Sequence, residues 1–313
     1  MRKEAKQNKS VELVHVQGYH QGGSSYNPES YAFTGFKSNK YFTSDRFIPL
    51  DSNFNRPDGQ PLQGFGLEIE TECNGITVRD VLAEVYDKII FSHFPADLFK
   101  MQHDGSLNGR TSAECITQVM TKSFIRNNYR NFKLMYNTYF PAFRISADSA
   151  NTACGMHVNI SNAVFGKTVA AQEEAIRKLF YIINKHYNLC KKLLYRAGST
   201  TYCAQMNYNN AKTMSLSGGS HGTCMNLTHY HAGRIELRLV GGQKNYACFR
   251  NTMESVFFLC ERVRSISWAG CDSIETIFKG CNQYVYDRLQ SMCGLSAETL
   301  SAIHATVKPE ELL

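Results

Sequence analysis

Apolar and polar positions first fall into a firm pattern at Phe65 to Glu72, FGLEIETE, where Leu67, Ile69 and Thr71 alternate with Glu68, Glu70 and Glu72. A period of two predicts a strand with one apolar face and one face carrying three carboxylates. The alternation returns in ACGMHVNIS, residues 153 to 161, where His157, Asn159 and Ser161 share one face and Met156, Val158 and Ile160 the other. A short strand is expected around Ala113 to Thr117, and the last strands in MNLTHYH and GRIELRLVGG. Spacings of three and four predict helices between them. One is capped by Thr77 and runs from Val78 to about Phe94, a second covers Phe124 to Tyr139, and the longest spans Ala170 to about Ala197. Two more, Tyr246 to Trp268 and Ser273 to Gln290, close the chain.

Residues 1 to about 60 are polar and rich in Ser, Asn, Gly, Tyr and Lys, and read as a polar N-terminal arm: a frayed start, then loops or a few edge strands. Residues 61 to 313 read as a single domain, and with 43% hydrophobic and 19% charged residues the chain has material for a sizeable core. No apolar run is long enough to span a bilayer, and MRKEAKQNKS has no signal-peptide core, so a cytoplasmic protein without a membrane partner is expected. The eleven cysteines contain no CxxC pair and read as reduced, buried small hydrophobes. The net charge of +7 is spread without basic runs or a nucleic-acid motif, which fits a solvated surface and also a polyanionic substrate.

Glu68 and Glu70 lie two apart on one strand, about 7 Å between Cβ atoms. Two carboxylates that close repel, and a divalent cation relieves the repulsion, although an exposed acidic strand face is a common alternative. His157 by itself reads equally as a satisfied core or surface histidine, and Glu236 with Arg238 in RIELR as a pair on a solvated strand. Taken together, four strands each present polar groups on one face. Carboxylates at Glu68, Glu70, Glu114 and Glu236 with the imidazole of His157 form an oxygen-rich set suited to Mg²⁺ or Mn²⁺.

The pieces GFGLEIET (64–71), HDGSL (103–107), AECIT (113–117), CGMHVNIS (154–161) and RIELRLVGG (234–242) resemble, in this order, the amidoligases of the glutamine synthetase and glutamate-cysteine ligase superfamily. That family shows a G-x-E-x-E strand, a D-x-S turn, an E-aliphatic-aliphatic-S strand, a G-x-H-V-H strand and a final E-F-R strand. The resemblance covers roughly residues 62 to 260. Asn159 stands where the pattern has its second histidine, Thr117 and Gln118 replace Ser-Pro, and Leu237 replaces an aromatic.

The resemblance implies an α+β fold, a curved antiparallel sheet with helices packed on its outer face and the active site in its concave side. It implies that Glu68, Glu70, Glu114 and Glu236 hold Mg²⁺ or Mn²⁺, that His157 ligates metal or contacts nucleotide, and that Arg238 contacts the transferring phosphate. The implied reaction is ATP-dependent amide or isopeptide formation through an acyl phosphate, on an amino acid, peptide or protein. Asn159 then bears on substrate identity. Asp104 can bind or deprotonate the incoming amine or simply form a turn before Gly105. Arg196 is a second phosphate contact or a helix C-terminal cation. The Gly/Ser stretch Ser215 to Thr223 is a lid or an idle loop. Two rivals stay open: a catalytically inactive nucleic-acid- or protein-binding module on the same fold, and a metal-dependent hydrolase. Oligomeric state is open as well.

Overall fold

The structure, a computed structural model, describes residues 13–15, 31–33, 39–44, 46–52, 54–73, 93–95, 98–103, 112–142, 145–148, 154–197, 202–220 and 222–309. The helix expected over Val78 to Phe94 and the turn at Asp104 lie outside these residues, save for the C-terminal end of that helix. Among the described residues, four short strands fall within the first 60 positions: β1 (Leu13–His15), β2 (Tyr31–Phe33), β3 (Lys40–Phe42) and β4 (Phe47–Pro49). Then come β5 (Phe65–Cys73), β6 (Phe99–His103), β7 (Ser112–Thr117), β8 (Val119–Met120), β9 (Ile145–Ser146), β10 (Met156–Ser161), β11 (Met225–Asn226) and β12 (Arg234–Leu237).

All twelve belong to one open sheet whose main path is β1-β2-β6-β7-β5-β10-β12-β11, with β3, β4, β8 and β9 off it. The pairings are antiparallel except for β3 with β8, so the sheet is mixed rather than purely antiparallel. The exception arises at Thr117-Gln118, where the chain leaves β7 and continues as β8. There the Thr117 hydroxyl accepts the Leu67 N–H at 2.8 Å and the Gln118 side chain accepts the Lys40 N–H. Side chains take over main-chain partners where the ladder shifts.

Helices lie against the apolar face. They are α1 (Lys122–Asn127), α2 (Tyr129–Leu134), a π-helical turn Met135–Tyr139, and α3 (Phe140–Ala142). After β10 follow α4 (Val169–Lys185), α5 (Tyr187–Leu193), α6 (Tyr246–Arg262), α7 (Ile274–Phe278), α8 (Gln283–Met292) and α9 (Ala297–His304). Phe65, Leu67 and Ile69 of β5, Met156, Val158 and Ile160 of β10, and Ile235 and Leu237 of β12 form one buried core with them. The Phe65 ring meets Phe257 of α6 edge-on at 4.8 Å, and Phe132 of α2 stacks on Phe249 of α6 at 4.5 Å.

The long helix expected over 170–197 is two helices broken at His186, whose ring bonds the Cys271 carbonyl while Asn184 accepts the Met206 N–H. The helix expected over 124–139 is interrupted at Asn128 and becomes π-helical at Met135. The closing helix over 273–290 is split by Gly280, which sits at φ +74°. Among the described residues no helix is long and apolar enough to cross a membrane. The ten cysteines with described side chains are all free and buried, and burial pushes the Cys115, Cys190 and Cys260 thiols well up.

Candidate active site

Register decides which polar side chains meet. In the antiparallel ladders Glu70 of β5 lies opposite Glu114 of β7, Glu68 of β5 opposite His157 of β10, and Asn159 of β10 opposite Glu236 of β12. Glu236 in turn faces Asn226 of β11. Directly opposed residues share a face of the sheet, so these side chains stand on the side turned away from the apolar core. Arg238 follows Glu236 by two and joins them.

The contacts are close. The His157 ring has Nδ1 3.2 Å from Glu68 Oε2 and 3.5 Å from Glu236 Oε1, and Nε2 3.4 Å from Glu70 Oε1. Arg238 Nη1 donates to Glu236 Oε1 at 2.5 Å and lies 3.4 Å from His157 Nδ1. Asn159 Nδ2 donates to Glu68 Oε1 at 2.7 Å, and Arg234 Nε donates to Asn159 Oδ1 at 3.2 Å. Glu70, Glu114, His157, Glu236, Arg238 and Arg196 are all buried, while Glu68 and Asn159 are partly open.

Burial by itself would raise the Glu68 carboxyl. The hydrogen bond and charge of His157, the Asn159 amide and the Arg238 charge outweigh it and hold the group down to about 2. Burial pushes the His157 imidazole down, but the Glu68 hydrogen bond and the charges of Glu70 and Glu68 lift it above its ordinary value against the opposing Arg238. The cluster therefore favours positive charge at its centre.

One oxygen each from Glu68 and Glu236 and one nitrogen of His157 lie within 4.8 Å of one another, close enough to ligate a single ion. Two carboxylates and an imidazole suit a hard or borderline divalent cation, and the donor set fits Mg²⁺ or Mn²⁺. The five ligands expected from the sequence thus divide. Glu68, His157 and Glu236 converge, Glu70 sits on the other ring nitrogen, and Glu114 lies one strand further out, opposite Glu70.

Gly155, just before β10, lies at one end of this cluster. Its N–H donates to Glu70 Oε2, and a Cβ there would lie 2.8 Å from Arg196 Nη1, 3.2 Å from Glu70 Oε2 and 3.7 Å from His157 Nε2. The missing side chain lets Arg196 approach. Arg196, just past α5, donates from Nη1 to the Val240 carbonyl at 3.3 Å, so it is tied to the segment that follows β12 and to the edge of the site rather than lying along α5.

Beside this cluster, Asn226 and Arg234 were not singled out from the sequence, and Gly155 entered only as the first position of the G-x-H-V-H match. The signal for Asn226 was the same alternation used elsewhere, because Met225 and Leu227 are buried apolar neighbours on the opposite face. Arg234 stands two before Glu236, on the same strand face.

No family model matches the chain, and a comparison with curated proteins gives no match. Among solved structures, the GmaS/ADP complex in its conformation 1 aligns with 78% of this chain and 68% of its own, at 14% identity and TM-score 0.42. A bifunctional glutathione synthetase from Pasteurella multocida aligns with 78% of this chain and 46% of its own, at 12% identity and TM-score 0.36. Likenesses of this size carry no argument about what the chain does.

Proposed function

We propose that the chain is a metal-dependent, ATP-using carboxylate-amine ligase whose centre is the face of β5, β10 and β12. The observation that carries the reading is the convergence of Glu68, His157 and Glu236 within 4.8 Å, with the Arg238 guanidinium 2.5 Å from one of those carboxylates. Such a pairing of a cation site with a buried arginine suits chemistry on phosphoryl oxygens, where charge must be neutralised and then stabilised. The order of motifs along the chain points the same way.

When bound, a divalent cation with ATP supplies the charge neutralisation and the γ-phosphoryl group that activates a carboxylate toward an amine. Glu68, Glu236 and His157 would hold the cation, with Glu70 and Glu114 as neighbouring anions on the same face. Arg238 would turn from Glu236 toward the transferring phosphate, a change of partner that leaves Glu236 to the metal. Arg196, at the Gly155 end, would donate to a further phosphate oxygen. Asn159, fixed between Glu68 and Arg234, would contact the nucleotide or the acceptor, and Asp104 would handle the amine.

The test is ADP release by the purified chain with Mg²⁺ and pools of amino acids and short peptides. Substitution Glu236→Gln removes a ligand charge and should reduce release at least a hundredfold, on the scale of losing an electrostatic catalytic group. Release unchanged by that substitution would overturn the assignment. Hydrolysis of a peptide or phosphate bond without nucleotide consumption would replace it with metal-activated water chemistry.

A further inference from the structure

The two oxygens of Glu236 have different tasks. Oε1 faces the cluster, 2.5 Å from Arg238 Nη1 and 3.5 Å from His157 Nδ1. Oε2 is turned away and accepts a hydrogen bond from Asn226 Nδ2 at 2.9 Å. Asn226 is 1% exposed and stands on β11 directly opposite Glu236.

The amide of Asn226 has one workable orientation. Its Oδ1 takes two donors from Thr228, the backbone N–H at 3.1 Å and the hydroxyl at 2.8 Å. A backbone N–H only donates, so the atom facing it must be the carbonyl oxygen, and the NH₂ group is thereby turned toward Glu236. An NH₂ group also only donates, so Glu236 Oε2 must accept, and the carboxylate is pinned at that oxygen with Oε1 presented to the cluster. The carbonyl of Asn226 is held by the following turn, not by the strand.

We propose that Asn226, set by Thr228, is a positioning residue that orients Glu236 for cation binding, an inference that rests on the metal-site reading above. Partners that lie behind a ligating carboxylate and fix its orientation govern affinity, because a ligand free to rotate must be ordered when the ion binds. Asn226 itself does not reach the His157 nitrogens or the Glu68 carboxylate, so its effect passes through Glu236.

The experiment is titration of the full chain with Mn²⁺, reading the free ion by its magnetic resonance signal, at a temperature where circular dichroism shows each variant folded. Asn226→Leu, close in volume but without the amide, should raise the Mn²⁺ dissociation constant roughly 10- to 100-fold. Thr228→Val, which keeps the backbone donor and loses the hydroxyl, should raise it by a smaller factor. A merely structural role would lower the unfolding midpoint and leave the dissociation constant of the folded protein where it was, and that result overturns the proposal. If Asn226→Leu does not fold, Asn226→Ser, whose hydroxyl is too short to reach Glu236, carries the same expectation and the same refutation. Failure of the unaltered chain to bind Mn²⁺ would appear before any variant is made, and would overturn the metal site and this inference together.

Discussion

At Gly155 a single methyl group separates two consequences. A Cβ there would come within 2.8 Å of Arg196 Nη1, yet that atom is the tip of a flexible side chain rather than backbone. The strain of Gly155→Ala should be relieved by displacing the guanidinium, at about 1 kcal/mol of stability or less, while Arg196 loses its place beside Gly155. ADP release should fall at least about tenfold, the scale of one misplaced charged contact, with a urea midpoint close to the parent's. Equal loss of both would place Gly155 among purely structural residues. His157 and Glu68 carry the pH prediction. The Glu68 group is depressed in the fold, so its stabilising contribution is present above its ordinary value and disappears as pH falls toward 2. The His157 group is raised, so its contribution is complete below its ordinary value and is lost as pH rises through the raised one. Metal-free protein should therefore draw most stability from this pair in the mildly acidic range. In Glu68→Gln the difference from the parent, measured by urea unfolding, should shrink at both ends of a series from pH 3 to pH 9. A difference that stays constant across the series would refute the pairing.

The elements show where local pattern was sufficient and where it was not. In FGLEIETE and MHVNIS the alternation alone gave the strand and its polar face, because burial on one side of a sheet imposes a period of two. Strand β6, by contrast, alternates only from Phe99 to Gln102 in FKMQH, too short a run to decide a strand by itself, and it forms because β7 on one side and β2 on the other complete its ladder. The break at His186 was silent, since it depends on the ring reaching the distant Cys271 carbonyl, while at Asn128 the side chain bonds locally, donating to the Phe124 carbonyl and accepting from Asn131. The junction of α5 with the segment that follows β12 is another tertiary device. Tyr195 adopts φ +58°, its ring is covered by the Arg288 guanidinium at 3.5 Å, and its hydroxyl accepts from Asn251. A Cβ on Gly241 would lie 2.1 Å from the Tyr195 carbonyl oxygen, a contact with backbone that no rotamer can relieve. Gly241→Ala should thus cost more than about 3 kcal/mol, well above Gly155→Ala, as read from the two unfolding midpoints. Glu254 of α6 makes a comparable tie between helices. It accepts from Arg126 Nε at 2.9 Å and Nη2 at 2.5 Å, from the Tyr129 hydroxyl at 2.7 Å and from Asn282 at 2.9 Å. Glu254→Ala removes the shared acceptor and should cost about 3 kcal/mol, lessened because Arg126 is a quarter exposed and can rehydrate.

At the scale of the whole molecule the candidate face exists only because the sheet orders its strands as β7-β5-β10-β12-β11, bringing together residues as distant in sequence as Glu68 and Glu236. Which carboxylates would share a face was readable from alternation, but which would touch was not, because register is a property of paired strands. That is why Glu114, expected among the ligands, stands beside Glu70 instead of within the Glu68, His157 and Glu236 cluster. A site assembled from three strands also couples ligand binding to the stability of the sheet, since an unfolded chain cannot hold these groups together. Mn²⁺ at a hundred times its dissociation constant should stabilise the fold by about 2.7 kcal/mol. For a chain of this length that corresponds to a rise of roughly 5 °C in Tm. Because a raised His157 must lose its proton before it can ligate, the rise should be larger at pH 8 than at pH 6 for the same total Mn²⁺. Thermal unfolding followed by circular dichroism at both pH values, with chelator-treated protein as reference, measures it. His157→Gln should lose most of the rise and all of its pH dependence, since Gln has no proton to exchange. A rise that is the same in His157→Gln would locate the ion elsewhere on the molecule.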